Sequence, residues 1–146
     1  MTEPNTQNPD TQRQITRLLR SKGISPTSQR VKIASALFAR PQHLTAEQLM
    51  DLANENGRPV SKATVYNTLG LFTRKGLIRE LIVDSSRSFY DSSNHTHHHL
   101  YNPDTQELHD ISEQELDIPM PTSLPEGTEV DRIEVVIHLK SSKNSA

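Results

Sequence analysis

The 146-residue chain contains no cysteine. That excludes disulfides, zinc–thiolate sites, iron–sulfur ligation and a thiol nucleophile. Tryptophan is missing too, and aromatic residues make up only 4% of the sequence. No apolar run approaches the ~20 residues that a helix needs to cross a bilayer, so no membrane partner is expected. The opening stretch MTEPNTQNPDTQRQ lacks the apolar segment of a secretory signal, and a cytoplasmic protein is expected. Hydrophobic residues are sparse at 32%, yet the length suits one ordinary domain or two small ones.

Charge is unevenly distributed. Residues 11–90 hold 13 Lys/Arg against five Asp/Glu, a balance of +8, whereas residues 93–146 hold three against ten, a balance of −7. This asymmetry suggests a half that faces nucleic acid, joined to an acidic half. Histidine is clustered as well, with five of seven between His95 and His109.

The periodicity divides the chain into a tail (1–11), a helical part (12–92) and a strand-rich part (93–146). Ile15, Leu18 and Leu19 recur at helical spacing and Gly23 follows as a stop. Ser25-Pro26 opens a second helix, with Val31, Ala34, Leu37 and Phe38 as its inner stripe. Thr45 and Gln48 form a capping box for a third, with Leu44 and Leu49 as a hydrophobic staple. Ser61 caps a fourth, whose inner stripe is Val65, Leu69 and Phe72, and Gly76 ends it. A hairpin over 77–91 follows. Helices followed by a hairpin are the layout of a winged helix-turn-helix. Beyond Ser92, the sequence predicts strands at 97–101, 106–111 and 132–140. Such a small sheet is marginal alone, and dimerisation through it is the simplest remedy. The fold class expected is therefore α+β, an N-terminal winged helix-turn-helix followed by a small antiparallel-sheet dimerisation domain.

On a wheel of about 100° per residue, Val65, Leu69 and Phe72 share one side of the fourth helix. Asn67, Gly70 and Arg74 lie opposite, and Tyr66 lies on the flank. Asn can read adenine edges, and Tyr can contact thymine methyls or phosphate. Arg74 and Lys62 suit phosphates, so duplex DNA is the expected partner.

The stretch Asp91 to Tyr101 holds His95, His97, His98 and His99. On a strand, His97 and His99 face one way and His98 the other. Two imidazoles at that spacing can reach one metal. Asp91 upstream, Asp110 on the next strand and His43 before the third helix can complete the ligand set. Imidazole and carboxylate suit Fe(II), Mn or Zn.

Taken together, Gly23-Ile24-Ser25-Pro26-Thr27-Ser28-Gln29-Arg30, His43-Leu44-Thr45-Ala46-Glu47, Ser61-Lys62-Ala63-Thr64-Val65-Tyr66-Asn67-Thr68-Leu69 and Lys75-Gly76-Leu77-Ile78 resemble the ferric uptake regulator family. His97, His99 and Asp110 continue the match, which runs from about Ile15 to Lys140. The resemblance implies a dimeric, metal-responsive regulator of transcription acting on an inverted-repeat operator. It maps a regulatory metal site onto His43, Asp91, His97, His99 and Asp110. It maps DNA contacts onto Tyr66 and its neighbours, and onto Thr27, Gln29 and Arg30 at the start of the second helix. Many members carry a CxxC zinc motif, where this chain has Asn102-Pro103-Asp104-Thr105. In that respect the chain looks most like the iron response regulator branch, which is associated with haem and iron status. A haem held by His97, His98 and His99 is the alternative effector, although the Cys-Pro haem motif of some members is absent. Two other classes compete. A metallohydrolase needs an acid or base beside an open metal position, and the sequence offers no distinct candidate, so no enzyme is expected. A His-rich metal-storage protein would bind metal without specific DNA binding.

Overall fold

The computed structural model describes residues 9–93 and 98–142, and the chain divides into two units, Met1–Ser93 and Asn94–Ala146. In the first unit the order is α1 (Pro9–Ser21), α2 (Ser28–Leu37), β1 (His43–Leu44), α3 (Ala46–Ala53), α4 (Lys62–Arg74), β2 (Arg79–Asp84) and β3 (Arg87–Asp91). The first helix starts at Pro9, inside the stretch that sequence assigns to the tail. Proline fits there because the first turn has no intrahelical use for its missing N–H.

Two helices end in the same way, and in both a glycine makes the ending possible. Gly23 and Gly76 each have φ of 73°, a region that costs a side chain but not glycine. After α1, Ile24 N–H donates to Leu19 O at 2.9 Å and Gly23 N–H to Arg20 O at 3.0 Å. After α4, Leu77 N–H donates to Phe72 O at 2.9 Å and Gly76 N–H to Thr73 O at 3.1 Å. This pair of bonds is the Schellman motif, which satisfies the last carbonyls and turns the chain sharply.

The capping box of α3 is present. Gln48 N–H donates to Thr45 Oγ1 at 3.1 Å, and Thr45 N–H to Gln48 Oε1 at 3.0 Å. Asn54, at the far end of α3, brackets the link to α4. Its Nδ2 donates to Val60 O at 3.1 Å and its Oδ1 accepts from Val60 N–H at 2.7 Å. Val60 is itself buried, so both polar groups need these partners.

The core of this unit is one contiguous cluster in which Leu19, Ile33, Leu37, Leu49, Leu69 and Phe72 have no exposed surface. The second helix departs from expectation. Its cap is Thr27 rather than Ser25, and Val31 and Phe38 are only half-buried. Ile33, Ser35 and Ala36 are buried instead, with Ala34 and Leu37. This helix packs against α1, α3 and α4, so its buried surface is too broad to leave a narrow stripe. Strand β1, only two residues long, is an addition to the elements expected from sequence. It completes a sheet of order β1-β3-β2, antiparallel throughout.

The second unit contains β4 (His98–Asn102), β5 (Glu107–Ile111), a 3-10 turn at Glu113–Glu115 and β6 (Val136–His138), in sheet order β5-β4-β6. The hairpin β4–β5 is antiparallel, whereas β6 joins β4 in parallel, which makes the sheet mixed. The expected 132–140 strand shortens to three residues. Among the described residues of this unit, Tyr101 is the one buried hydrophobic side chain, and the other buried ones are His98 and His99. Leu100, Ile111 and Ile137 share a sheet face and are half-buried. Met120, Leu124 and Leu139 are exposed.

Asn54→Ala should lower stability by about 1–3 kcal/mol, because it strands a buried N–H and C=O of Val60. Asn54→Asp keeps the acceptor and should lose less. Urea unfolding followed by circular dichroism checks the order, and a wild-type midpoint for Asn54→Ala would remove the bracket from the stability argument.

Candidate functional site

The outward side of α4 follows from its inward side. Ser61 caps the helix, its Oγ accepting from Thr64 N–H at 3.2 Å. Val65, Thr68, Leu69 and Phe72 are buried, so Lys62, Tyr66, Asn67 and Arg74 are exposed. Thr68 is a buried polar neighbour of that stripe which the apolar pattern does not reveal. Gly70 keeps this face flat. A Cβ there would come within 3.2 Å of Arg74 Nη1, so the guanidinium lies along the helix where a side chain would otherwise stand.

Tyr66 is held from the neighbouring helix. Its hydroxyl donates to Glu47 Oε1, on the first turn of α3, at 2.8 Å. Lys62 Nζ sits 5.9 Å from the centre of the same ring, within cation–π range. The hydrogen bond from Tyr66 holds the Glu47 carboxyl below the usual range, and the charges of Lys62 and Arg87 add to this. The same bond, with burial and the carboxylate charge, raises the Tyr66 phenol above its ordinary value. Glu47 closes the stretch His43–Glu47 that carries part of the family resemblance, but its contact with Tyr66 has no local signal, since acidic residues are common in a capped first turn.

At the start of α2, Thr27 Oγ1 accepts from Arg30 N–H at 3.3 Å, and Arg30 Nη1 donates to Ser25 O at 3.0 Å. Thr27 and Arg30 thus shape this turn, and Gln29 is exposed beside them.

Each unit has one histidine–carboxylate pair whose two members stand directly opposite on paired strands. In the first unit, His43 on β1 faces Asp91 on β3, with Nδ1 to Oδ2 at 3.6 Å. Asp91 Oδ1 accepts from Ser93 N–H at 2.7 Å, which orients the carboxylate. In the second unit, His99 on β4 faces Asp110 on β5, with Nε2 to Oδ1 at 3.6 Å. His99 is buried, whereas the Asp110 side chain is 54% exposed. A tetrahedral ion with ligand bonds of about 2.1 Å separates its ligand atoms by about 3.4 Å, so both pairs suit a divalent ion.

His97 lies outside the described residues. His98 is buried, and its Nδ1 accepts from Val135 N–H at 3.2 Å. With Nδ1 accepting, Nε2 carries the proton, so neither nitrogen offers a lone pair to a metal or a haem iron while that bond stands. The structure therefore separates His98, which pins β4 to the segment before β6, from His99, which faces the carboxylate.

Glu47→Ala should lower the pH at which Tyr66 ionises, moving it towards the ordinary phenol value near 10, because the accepting oxygen and its charge are both gone. The ultraviolet difference titration, with Tyr66→Phe identifying this tyrosine among three, measures it. No change on substitution would show that the contact does not persist in solution.

The Peroxide-responsive repressor PerR of Staphylococcus saprophyticus is 35% identical over 82 residues, which are 56% of this chain and 55% of that protein. The chain therefore spans about half the length of the curated relatives it matches. Among solved structures, the ferric uptake regulator from Pseudomonas aeruginosa with manganese superposes with a TM-score of 0.68 at 25% identity, covering 88% of this chain and 98% of that one. The ferric uptake regulator of Vibrio cholerae has a TM-score of 0.69 at 23% identity over 86% and 98% of the two chains, a likeness of fold. The match to the Ferric uptake regulator family runs over residues 21–138, most of the chain, and the chain belongs to that family.

Proposed function

We propose that the protein is a metal-responsive transcriptional repressor that binds duplex DNA as a homodimer. The observation that carries this reading is the face of α4, where Lys62, Tyr66, Asn67 and Arg74 are exposed on the second helix of a helix-turn-helix. Tyr66 and Asn67 have the chemistry for base edges, and Lys62 and Arg74 for phosphates. Thr27, Gln29 and Arg30 add backbone contacts at the start of α2. The basic balance of residues 11–90 supplies the electrostatic attraction that non-specific DNA binding needs.

The regulatory ligand in this reading is a divalent ion, Fe(II), Mn or Zn. The pairs His43–Asp91 and His99–Asp110 have spacing and chemistry suited to it, and the family resemblance joins them, with His97, into one regulatory site. When bound, the ion would draw these ligands into a fixed arrangement and so bias the domain arrangement that binds DNA. It can change DNA affinity only through its differential affinity for the two arrangements. Leu100, Ile111 and Ile137, half-buried on one face of the second unit's sheet, support dimerisation there, and two α4 helices about 34 Å apart would then read an inverted repeat.

A duplex selected from a random-sequence pool by the Mn(II)-loaded protein tests the function. Binding should weaken steeply between about 50 and 200 mM salt, and chelation should change affinity by about 5–150-fold. Calorimetry should lose the tight Mn(II) event in His99→Ala. His98→Asn should spare it, since the amide oxygen can still accept from Val135. Salt-insensitive binding would sink the DNA reading. Loss in His98→Asn rather than His99→Ala would favour the triple-histidine haem reading.

The chain truncated after Ser93 retains the whole contiguous core and should sediment as a monomer, while the full chain sediments as a dimer. A dimeric truncated chain would move the interface to the first unit.

A further inference from the structure

The contact between Glu47 and Tyr66 gives α4 a means of reading sequence, provided that the protein binds duplex DNA through this helix as proposed. A tyrosine at a DNA surface has two uses. Its hydroxyl can donate to phosphate, which positions the protein without reading sequence, or its ring can pack on a base. The two uses differ in what they do to specificity. Here the hydroxyl is already engaged, donating to Glu47 Oε1 at 2.8 Å. Lys62 Nζ lies on the ring 5.9 Å from its centre. Tyr66 is 42% exposed.

We infer that Glu47 is a specificity-determining positioning residue, which takes the Tyr66 hydroxyl out of phosphate bonding and presents the ring for packing against a thymine methyl.

Three observations on the surrounding groups agree. The carboxylate is one of only five in a segment of balance +8, and it works against phosphate approach at that spot. The positive groups whose charge Glu47 feels are Lys62 on α4 and Arg87 on β3, and Lys62 also lies over the ring, so cations stand near this contact to meet phosphate. Glu47 is fixed by its place two residues after the Thr45 cap, in a turn locked by both capping-box bonds. The acceptor is therefore attached to the rigid helix that precedes α4 in the helix-turn-helix, and the direction of the phenol is set by the fold before DNA arrives. A preset side chain gives up little rotamer freedom on binding, which favours discrimination.

The test uses the full-length, Mn(II)-loaded protein and a duplex selected by it from a random pool. Each thymine in turn is replaced by deoxyuridine, which removes only the methyl group. Affinities are measured by fluorescence anisotropy. At one thymine per half-site, the wild type should lose about fourfold, the value of one buried methyl. Tyr66→Ala and Glu47→Ala should each abolish that sensitivity. Glu47→Gln should keep it, because a carboxamide oxygen accepts the same bond. Glu47 is exposed, so these variants should melt close to the wild type, and thermal unfolding confirms that they fold. Full methyl sensitivity in Glu47→Ala, or its loss in Glu47→Gln as well, overturns the inference. If Tyr66→Ala alone loses it, base reading by Tyr66 stands and the role of Glu47 falls. If no thymine is methyl-sensitive, or Tyr66→Ala retains the sensitivity, both fall.

Discussion

Burial of Val65, Leu69 and Phe72 against the core of the first unit sets the rotation of α4, and most of the proposed chemistry depends on that rotation. All three have essentially no exposed surface. A helix turns about 100° per residue, so once one side is committed the direction of every other side chain is fixed. Lys62, Tyr66, Asn67 and Arg74 face water because Leu69 cannot. Rotating the helix would transfer these apolar groups to solvent, at about 1.5–3 kcal/mol for each side chain. The Schellman turn at Gly76 and the Asn54–Val60 bracket fix the two ends of the same helix, so translation along its axis is restricted too.

A second tier of contacts converts that rigid frame into a surface. Capping of α3 by Thr45 places Glu47 in the first turn, and Glu47 accepts from a tyrosine on α4. The helix-turn-helix is therefore tied by apolar packing inside and by one charge-assisted hydrogen bond at its rim. The two differ in strength and purpose. The apolar contacts hold the fold together. An exposed hydrogen bond adds little net stability, but it selects one side-chain direction among several.

How much of this is legible in the sequence varies with the length of the signal. Thr45 and Gln48, and the stripe Val65, Leu69 and Phe72, each combine several residues at fixed spacing, and the structure has both. Glycine after α1 and α4 is readable because a left-handed backbone leaves few alternatives. The stripe of α2 misleads, since a helix packed against three others buries Ile33, Ser35 and Ala36 together and loses its amphipathic contrast. Strand β1 is two residues long, too short for any periodic signal, yet it brings His43 opposite Asp91. The parallel pairing of β6 depends on a return path through 112–135, where no local pattern specifies direction. Glu47 stands in a family-like stretch, but its contact is not legible there, because the partner lies 19 residues away. His99 and Asp110 are legible as chemistry, but their direct opposition requires the register of β4 and β5.

The second unit shows what becomes of a sheet that lacks apolar mass. Its described buried side chains are His98, His99 and Tyr101, two of them polar. Burying an imidazole costs free energy unless its nitrogens have partners. His98 offsets that cost by accepting from Val135 N–H, and His99 lies opposite Asp110. The Tyr101 and His138 rings meet edge to face with centres 6.1 Å apart, so even the aromatic packing here uses histidine. With no cysteine in the chain, neither a disulfide nor a thiolate-bound zinc can reinforce this unit. Two sources of stabilisation are compatible with such a composition. One is an ion held by imidazole and carboxylate, whose binding free energy adds to that of the fold. The other is a second subunit covering Leu100, Ile111 and Ile137. A sheet that depended on both would respond to either, which is what the sensing role proposed for this unit needs. A unit with a large core of its own would keep one conformation whatever was bound, whereas one with little core lets a ligand's binding energy decide its state.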